Sequence, residues 1–304
     1  MLKHRLIFGP LLVILLLSVV VVDNWLDSVQ LSNCPGWVQR AFLNRADLPR
    51  GVAVFTFAVF VAVPLAAREL SAIFAYQGIA TRKTLTTVAA MLGVTLSYCI
   101  PNNTQAVDAI ALLSTAMILV FVAAILTFCQ GRNVEGVVAA AGAVMFAMVY
   151  LGLMLGFFLA LRRYHSAWWI VGIILATKAC DSGAYFTGRA IGRHKLIPWL
   201  SPGKTWEGLF GGLAASAIAG IALAWLSQRF LVEPDQVPLS TGLWWGLVFG
   251  FVGVFGDLLK SVLKRGAGIK DSSSLLPGLG GVLDVLDSPL MVAPVAFWII
   301  TYTT

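Results

Sequence analysis

Residues 107–128 read VDAIALLSTAMILVFVAAILTF, with Asp108 as their only charged residue. A hydrocarbon core needs about 20 predominantly apolar residues per helix, and this run has that length. Inside lipid every backbone amide must find its partner within the segment, so the run is an α-helix. Working outward, spans near 6–22, 51–67, 84–100 and 134–160 meet the same criterion and are almost free of charge. Further spans near 167–187, 205–227, 242–263 and 282–300 contain or adjoin Lys178, Asp181, Glu207, Asp257, Lys260, Asp284 and Asp287. The expected fold is therefore all-α: a polytopic integral membrane protein with about nine transmembrane helices and no soluble domain. Residues 1–165 form an apolar part with about five spans, and residues 166–304 form a charge-studded part with two polar loops.

Composition agrees. The 304 residues are 59% hydrophobic and 12% charged, with a mean hydropathy of +0.88, whereas a soluble domain carries about 25% charged residues. The net charge of +7 is spread between apolar runs, which points to loop positioning and excludes a nucleic-acid partner. Cys34, Cys99, Cys129 and Cys180 are far apart and form no CxxC pair, so neither a disulfide framework nor a zinc site is indicated. The histidines are His4, His165 and His194, which excludes HExxH chemistry and disfavours a Ser/His/Asp triad. Lys3, His4 and Arg5 precede the first span, but Val21-Val22-Asp23-Asn24 offers no small-residue cleavage site, so a retained helix is expected.

Short loops rich in Lys and Arg favour the cytoplasm. With the N-terminus inside, the inner loops carry Arg68, Arg82, Lys83, Arg132, Arg189, Arg193, Lys195, Lys204, Lys264, Arg265 and Lys270, while Arg40, Arg45, Arg50, Arg162 and Arg163 fall outside. Both polar loops of the second half then face the cytoplasm. No internal repeat is present, so a repeat-built transporter gains no support.

A charge at mid-membrane costs about 2.5–3.5 kcal/mol on insertion scales. Taken singly, each intramembrane aspartate is explained by a lysine that ties two helices together. Taken as a set, Asp257, Asp284 and Asp287 crowd toward one membrane face. Asp284 and Asp287 stand at i and i+3 on one side of a helix, and Asp257, Lys260, Ser261 and Lys264 share another face. Paired carboxylates beside lysines suit a magnesium–phosphate site, because Mg²⁺ takes one or two carboxylates and completes its shell with substrate phosphates. Without a cation, neighbouring aspartates at low dielectric repel or take up protons.

The two polar stretches add phosphate-binding character. One runs Lys264-Arg265-Gly266-Ala267-Gly268-Ile269-Lys270-Asp271, through Ser272-Ser273-Ser274, to Pro277-Gly278-Leu279-Gly280-Gly281. Its glycines let backbone N–H groups approach phosphate oxygens. The other is read as a loop from Asp181 to Arg189, continuing through Gly192-Arg193-His194-Lys195 to Ser201-Pro202-Gly203-Lys204-Thr205-Trp206-Glu207-Gly208. Gly203-Lys204-Thr205 imitates the end of a P-loop, but Pro198 stands where its first glycine belongs, so that motif is rejected. Ser201 or Thr205 at a helix N-terminus remains a favourable place for an anion, and His194 reads as a phosphate or interface contact.

At these stretches the sequence resembles the phosphatidate cytidylyltransferases, or CDP-diacylglycerol synthases. The family's C-terminal pattern is met by Ser261, Lys264, Arg265, Lys270, Asp271, Pro277, Gly280, Gly281, Asp284 and Asp287, and the Asp181 and Ser201–Gly208 stretches match as well. Two positions differ: a family histidine is Leu279 and a family arginine is Val285. The resemblance covers about residues 176–290 and implies a multi-pass enzyme of the inner cell membrane, its active site facing the cytoplasm. It would join CTP to phosphatidic acid, release pyrophosphate and form CDP-diacylglycerol, with Mg²⁺, alone or with a second cation. Asp257, Asp284 and Asp287 are the expected metal ligands. Lys264, Lys270 and Asp271 join them as catalytic candidates, and Ser201, Lys204, Thr205, Ser261, Arg265 and Asp181 as substrate-binding candidates. Membrane lipids are its surroundings and a homodimer is one expectation. The competing readings are a CTP-dependent transferase or kinase for an isoprenoid or archaeal-type lipid, and an ion-coupled transporter.

Overall fold

The computed structural model describes residues 2–27, 50–100, 104–130, 134–232, 235–269 and 280–303. Among them the chain forms nine helices: α1 (Leu2–Leu26), α2 (Val52–Tyr76), α3 (Lys83–Cys99), α4 (Ala106–Cys129), α5 (Val137–Tyr164), α6 (Trp168–Ile191), α7 (Trp206–Phe230), α8 (Leu239–Gly266) and α9 (Val282–Thr303). Each expected span coincides with one of them. Seven are long and apolar enough to cross a membrane; the others are α3, which is shorter, and α6, which carries Lys178, Asp181 and Arg189. The protein is a polytopic α-helical membrane protein.

Two local features depart from the sequence reading. Asp181–Arg189 is helical, and α6 continues to Ile191 before the chain extends at Gly192. Glycine ordinarily weakens a helix interior, but here Gly183 and Gly188 allow α6 to lie against α7. A Cβ on Gly183 would stand 2.9 Å from the Gly211 carbonyl, and one on Gly188 3.6 Å from Gly208 Cα. The stretch entering α7 is a hairpin, in which β1 (Lys195–Ile197) pairs antiparallel with β2 (Ser201–Thr205), Lys195 opposite Thr205 and Ile197 opposite Ser201. Thr205 caps α7, its Oγ1 accepting the Gly208 N–H at 3.1 Å. Glu207 folds back to accept the N–H groups of Arg193 and His194 and meets His194 Nδ1 at 2.6 Å. His194 is thus an interface contact that fixes the hairpin to the helix.

Small residues bring the helices of the second half unusually close, as suits packing in lipid, where dispersion contacts and interhelical hydrogen bonds drive association. Gly220 on α7 faces Gly242 and Gly246 on α8. Buried Ser216 Oγ lies 2.9 Å from the Ala176 carbonyl and 2.7 Å from that of Gly246, joining α6, α7 and α8. Gly256 on α8 rests on the backbone of α9, where a Cβ would come 2.4 Å from the Asp287 carbonyl. In the first half, α5 contains a π-helical turn at Met148–Leu153 that seats Gly152 against Ala90 and Gly93 of α3. Leu70, Leu151, Leu159, Ile173, Leu283 and Leu290 are fully buried where α2, α5, α6 and α9 meet, so α9 is held from both halves of the chain.

At the end of the bundle away from Asp257 and Asp284, buried Arg162 forms ion pairs of 2.5 Å with Asp23 and Asp27. Asp23 Oδ1 also accepts the N–H groups of Ala53 and Val54 at the start of α2. Arg163 donates to the carbonyls of Tyr98 and Ile100. Both arginines, which fit the charge rule for loops poorly, are therefore consumed in tying helices together. Nearby, Asp235 receives the Ser166 N–H and the Trp169 indole and contacts His165. Burial pushes its carboxyl up, but these hydrogen bonds outweigh it and hold the group below the usual carboxylate range.

Replacing Arg162 with Met strands Asp23 in the interior and is expected to cost about 3–5 kcal/mol in thermal unfolding in detergent. R162M combined with D23N should lose clearly less than the sum of the two single changes.

Candidate active site

The charged residues of the second half converge at the end of the bundle where α6 and α8 finish and α7 and α9 begin. They line a cavity of about 410 Å³ whose walls include Lys178, Asp181, Ser201, Lys204, Thr205, Asp257, Lys260, Asp284 and Asp287. The aspartates are graded by depth: the side chains of Asp181 and Asp257 are 38% and 30% exposed, while that of Asp287 is 2% exposed.

Every one of these carboxylates faces a lysine. Lys204 Nζ lies 2.7 Å from Asp257 Oδ2, Lys264 Nζ 2.5 Å from Asp284 Oδ1, and Lys178 Nζ 3.1 Å from Asp181 and 3.4 Å from Asp287. Lys260 sits between α8 and α9, 3.0 Å from Asp257 and 3.5 Å from Asp284, and bonded to Asp287. Four aspartates and four lysines leave this group with no net charge. The pairing that explains each aspartate singly is present, and so is the crowding that it does not explain: three carboxylates from two helices meet at one ammonium.

The start of α9 explains how Asp284 is aimed. Its Oδ2 accepts the Gly281 N–H at 2.9 Å, closing the first turn. From α2, Glu69 Oε1 accepts the Val282 N–H and Oε2 the Leu283 N–H, both at 2.9 Å, across 213 and 214 residues of sequence. A carboxylate at a helix N-terminus satisfies donors that have no partner within the helix. Gly280, at φ +92°, and Gly281 make room for this: a Cβ on Gly280 would lie 2.4 Å from Asp284 Oδ2, and one on Gly281 2.2 Å from Glu69 Oε2. These glycines, read from sequence as an approach for phosphate, admit the protein's own carboxylates.

Other expected site residues are placed differently. Ser261 donates to the Asp257 carbonyl of its own helix at 2.8 Å, and Arg265 donates to the Leu200 carbonyl at 3.3 Å, tying α8 to the hairpin. Neither lines the cavity. Lys270, Asp271 and Leu279 lie outside the described residues. Conversely, Lys178 and Lys260 are central although the sequence reading left them out of the site. Their signal was present: each is a lysine inside an apolar span, three residues from an aspartate. Glu69 had no such signal. Tyr150, on the π-helical turn of α5, lies within electrostatic reach of Asp287, Lys260, Asp257 and Asp284. Its buried hydroxyl and that of Ser288 have no hydrogen-bond partner among the described residues.

Among the described residues no three His, Cys, Asp or Glu side chains are already arranged around a metal position, but the donor chemistry is that of a hard cation. Carboxylates converge on a positive centre already supplied by the Lys260 ammonium, and oxygen is the ligand type that Mg²⁺ prefers. A comparison with known families now decides the assignment, because the model of the cytidylyltransferase family matches residues 46–303. The chain belongs to the cytidylyltransferase family. Within it, the sequence is 41% identical over 131 residues to a phosphatidate cytidylyltransferase of Haemophilus influenzae, covering 43% of this chain and 45% of that protein. It is 40% identical over 135 residues to the uncharacterized protein YnbB of Escherichia coli, covering 44% and 42%. A phosphatidate cytidylyltransferase of Bacillus subtilis is 35% identical over 161 residues, covering 52% and 58%. The chain spans about half the length of the curated relatives it matches.

For this cytidylyltransferase-family member, Gly281→Val is expected to drive a side chain into Glu69, loosen the start of α9 and cost about 1–3 kcal/mol. Adding E69A should return part of that loss in thermal unfolding, because it removes the obstructing carboxylate.

Proposed function

We propose that the protein is a phosphatidate cytidylyltransferase, converting CTP and phosphatidic acid to CDP-diacylglycerol and pyrophosphate. The observation that carries this reading is the membrane-embedded cavity in which lysines and aspartates are already paired and no histidine takes part. Family membership and the names of its relatives support it. The C-terminal part, 166–304, would be the catalytic region, supported by the first part through α2 and α5.

The chemistry asks for little beyond positioning. A phosphatidic acid oxygen forms a bond to the α-phosphorus of CTP, and the bond from that phosphorus to the bridging oxygen breaks, so that pyrophosphate leaves with the electron pair. The attacking oxygen is already an anion, so no general base is needed, and a site rich in Lys and Asp suffices. Asp257 and Asp284, with Asp287 behind them, would hold Mg²⁺, which when bound supplies neutralisation of phosphate charge and orientation. Lys204 and Lys264 each hold one carboxylate. With those carboxylates holding the cation, the Lys204 and Lys264 ammonium groups would be available to phosphate oxygens, one ion pair being exchanged for another. Ser201 and Thr205 would orient phosphate from the hairpin. Asp181 and Lys178 would bound the outer wall, and Arg265, Lys270, Asp271 and Ser261 would act from the adjoining loop and helix face.

The cationic hairpin and the basic end of α8 favour the cytoplasmic side of the inner membrane under the charge rule, and the cavity would then open where CTP is found. The departures at Leu279 and Val285 make a CTP-dependent transferase or kinase for an isoprenoid or archaeal-type lipid the rival, and exchanging the lipid separates the two.

Purified protein in detergent should release pyrophosphate only when CTP, phosphatidic acid and Mg²⁺ are all present. D284N and D257N should lower the rate by at least about 10²-fold. Release with another lipid alone would reassign the acceptor, and none with any lipid from well-folded protein would sink the proposal.

A further inference from the structure

Among the four lysines of the cluster, Lys260 is placed unlike the others. Lys204 pairs with Asp257 and Lys264 with Asp284, so each can turn to a substrate by giving up one partner. Lys178 holds Asp181 and Asp287 at the outer wall. Lys260 reaches Asp257, Asp284 and Asp287 together, with its side chain 13% exposed. It cannot leave without breaking three ion pairs at once, each carboxylate then keeping one lysine: Lys204 for Asp257, Lys264 for Asp284 and Lys178 for Asp287. The α8 backbone fixes its reach, because Gly256 lets α8 sit directly on the Asp287–Ser288 backbone. An ammonium held by three carboxylates differs from a bound metal ion chiefly in its single charge and its tether.

We infer that Lys260 is a built-in cation, filling the inner part of the Asp257–Asp284–Asp287 cluster that a second dissociable cation would otherwise take. The inference rests on the cation-assisted reading above and deepens it: Mg²⁺ is needed only toward the Asp257 and Asp284 rim, where the partner lysines can withdraw. Lys260 is accordingly a positioning residue, fixing the carboxylates without touching substrate. Shortening it would leave a space faced by the carboxylate oxygens of Asp257, Asp284 and Asp287. Oxygen is the ligand type that a hard cation prefers.

The test counts ions rather than turnover. Wild-type protein, K260A, K260Q and K260R are purified in detergent and titrated with Mn²⁺ without nucleotide, free Mn²⁺ being followed by electron paramagnetic resonance. K260A and K260Q should each gain a saturable Mn²⁺ site that binds roughly tenfold or more tighter than any additional site in wild type. K260R should behave as wild type, and D287N in the K260A background should abolish the gain. Should K260A fail to give a cooperative thermal transition, the near-isosteric K260Q decides the matter. Folded K260Q that binds Mn²⁺ like wild type overturns the inference. Pyrophosphate assays on the same preparations keep the two ideas apart: an inactive wild type with the expected ion count sinks the proposed activity alone, and an active wild type with an unchanged K260Q ion count sinks the role of Lys260 alone.

Discussion

Charge balance in a low-dielectric cavity is the constraint on which this structure depends. Carboxylates gathered among membrane helices are tolerated only when cations stand beside them, since an isolated buried ion is far costlier than a pair. Here Asp181, Asp257, Asp284 and Asp287 are matched by Lys178, Lys204, Lys260 and Lys264, supplied by α6, the hairpin and α8. The balance can be struck only if those elements approach closely, and the glycines along α6, α7 and α8 make the approach possible. Backbone packing and charge pairing are thus two aspects of one arrangement.

The same balance shapes what the site can do. A neutral cluster stores its positive charge against its own aspartates, so that under the proposed function a cation and phosphates would enter by exchange of partners without creating an unpaired ion. The depth gradient assigns the order of access: Asp181 and Lys178 are met first, then Asp257 and Lys204, while Asp287 stays shielded. Rigidity comes from behind. Glu69 holds the first amides of α9, and Gly280 and Gly281 yield the space that it and Asp284 occupy. At the opposite end, Arg162 with Asp23 and Asp27 joins α1, α2 and α5.

Membership of the cytidylyltransferase family gives this arrangement a chemical context. Nucleotidyl transfer to an ionised phosphate needs neither nucleophilic side chain nor general base, and among the described residues no histidine lines the cavity. Two histidines are engaged elsewhere: His194 binds Glu207 in the hairpin, and His165 contacts Asp235 at the far end.

Length and apolarity of each run placed the helices, because in lipid those local properties leave the backbone one solution. The facing of Asp284 and Asp287, and of Asp257 with Lys260, was likewise legible, since helical spacing is local. The sequence stopped short where partners lie far apart along the chain. Gly183 and Gly188 look like loop residues until α7 is seen to need their missing side chains. Gly280 and Gly281 look like a phosphate cradle until Glu69 and Asp284 are found in that space. Lys260 can be assigned to a face of α8, but only the contact of α8 with α9 shows that three carboxylates meet it. Helix formation in a membrane is governed by each segment's own composition, whereas the electrostatics of a site are governed by which segments touch, and that is decided only in the folded bundle.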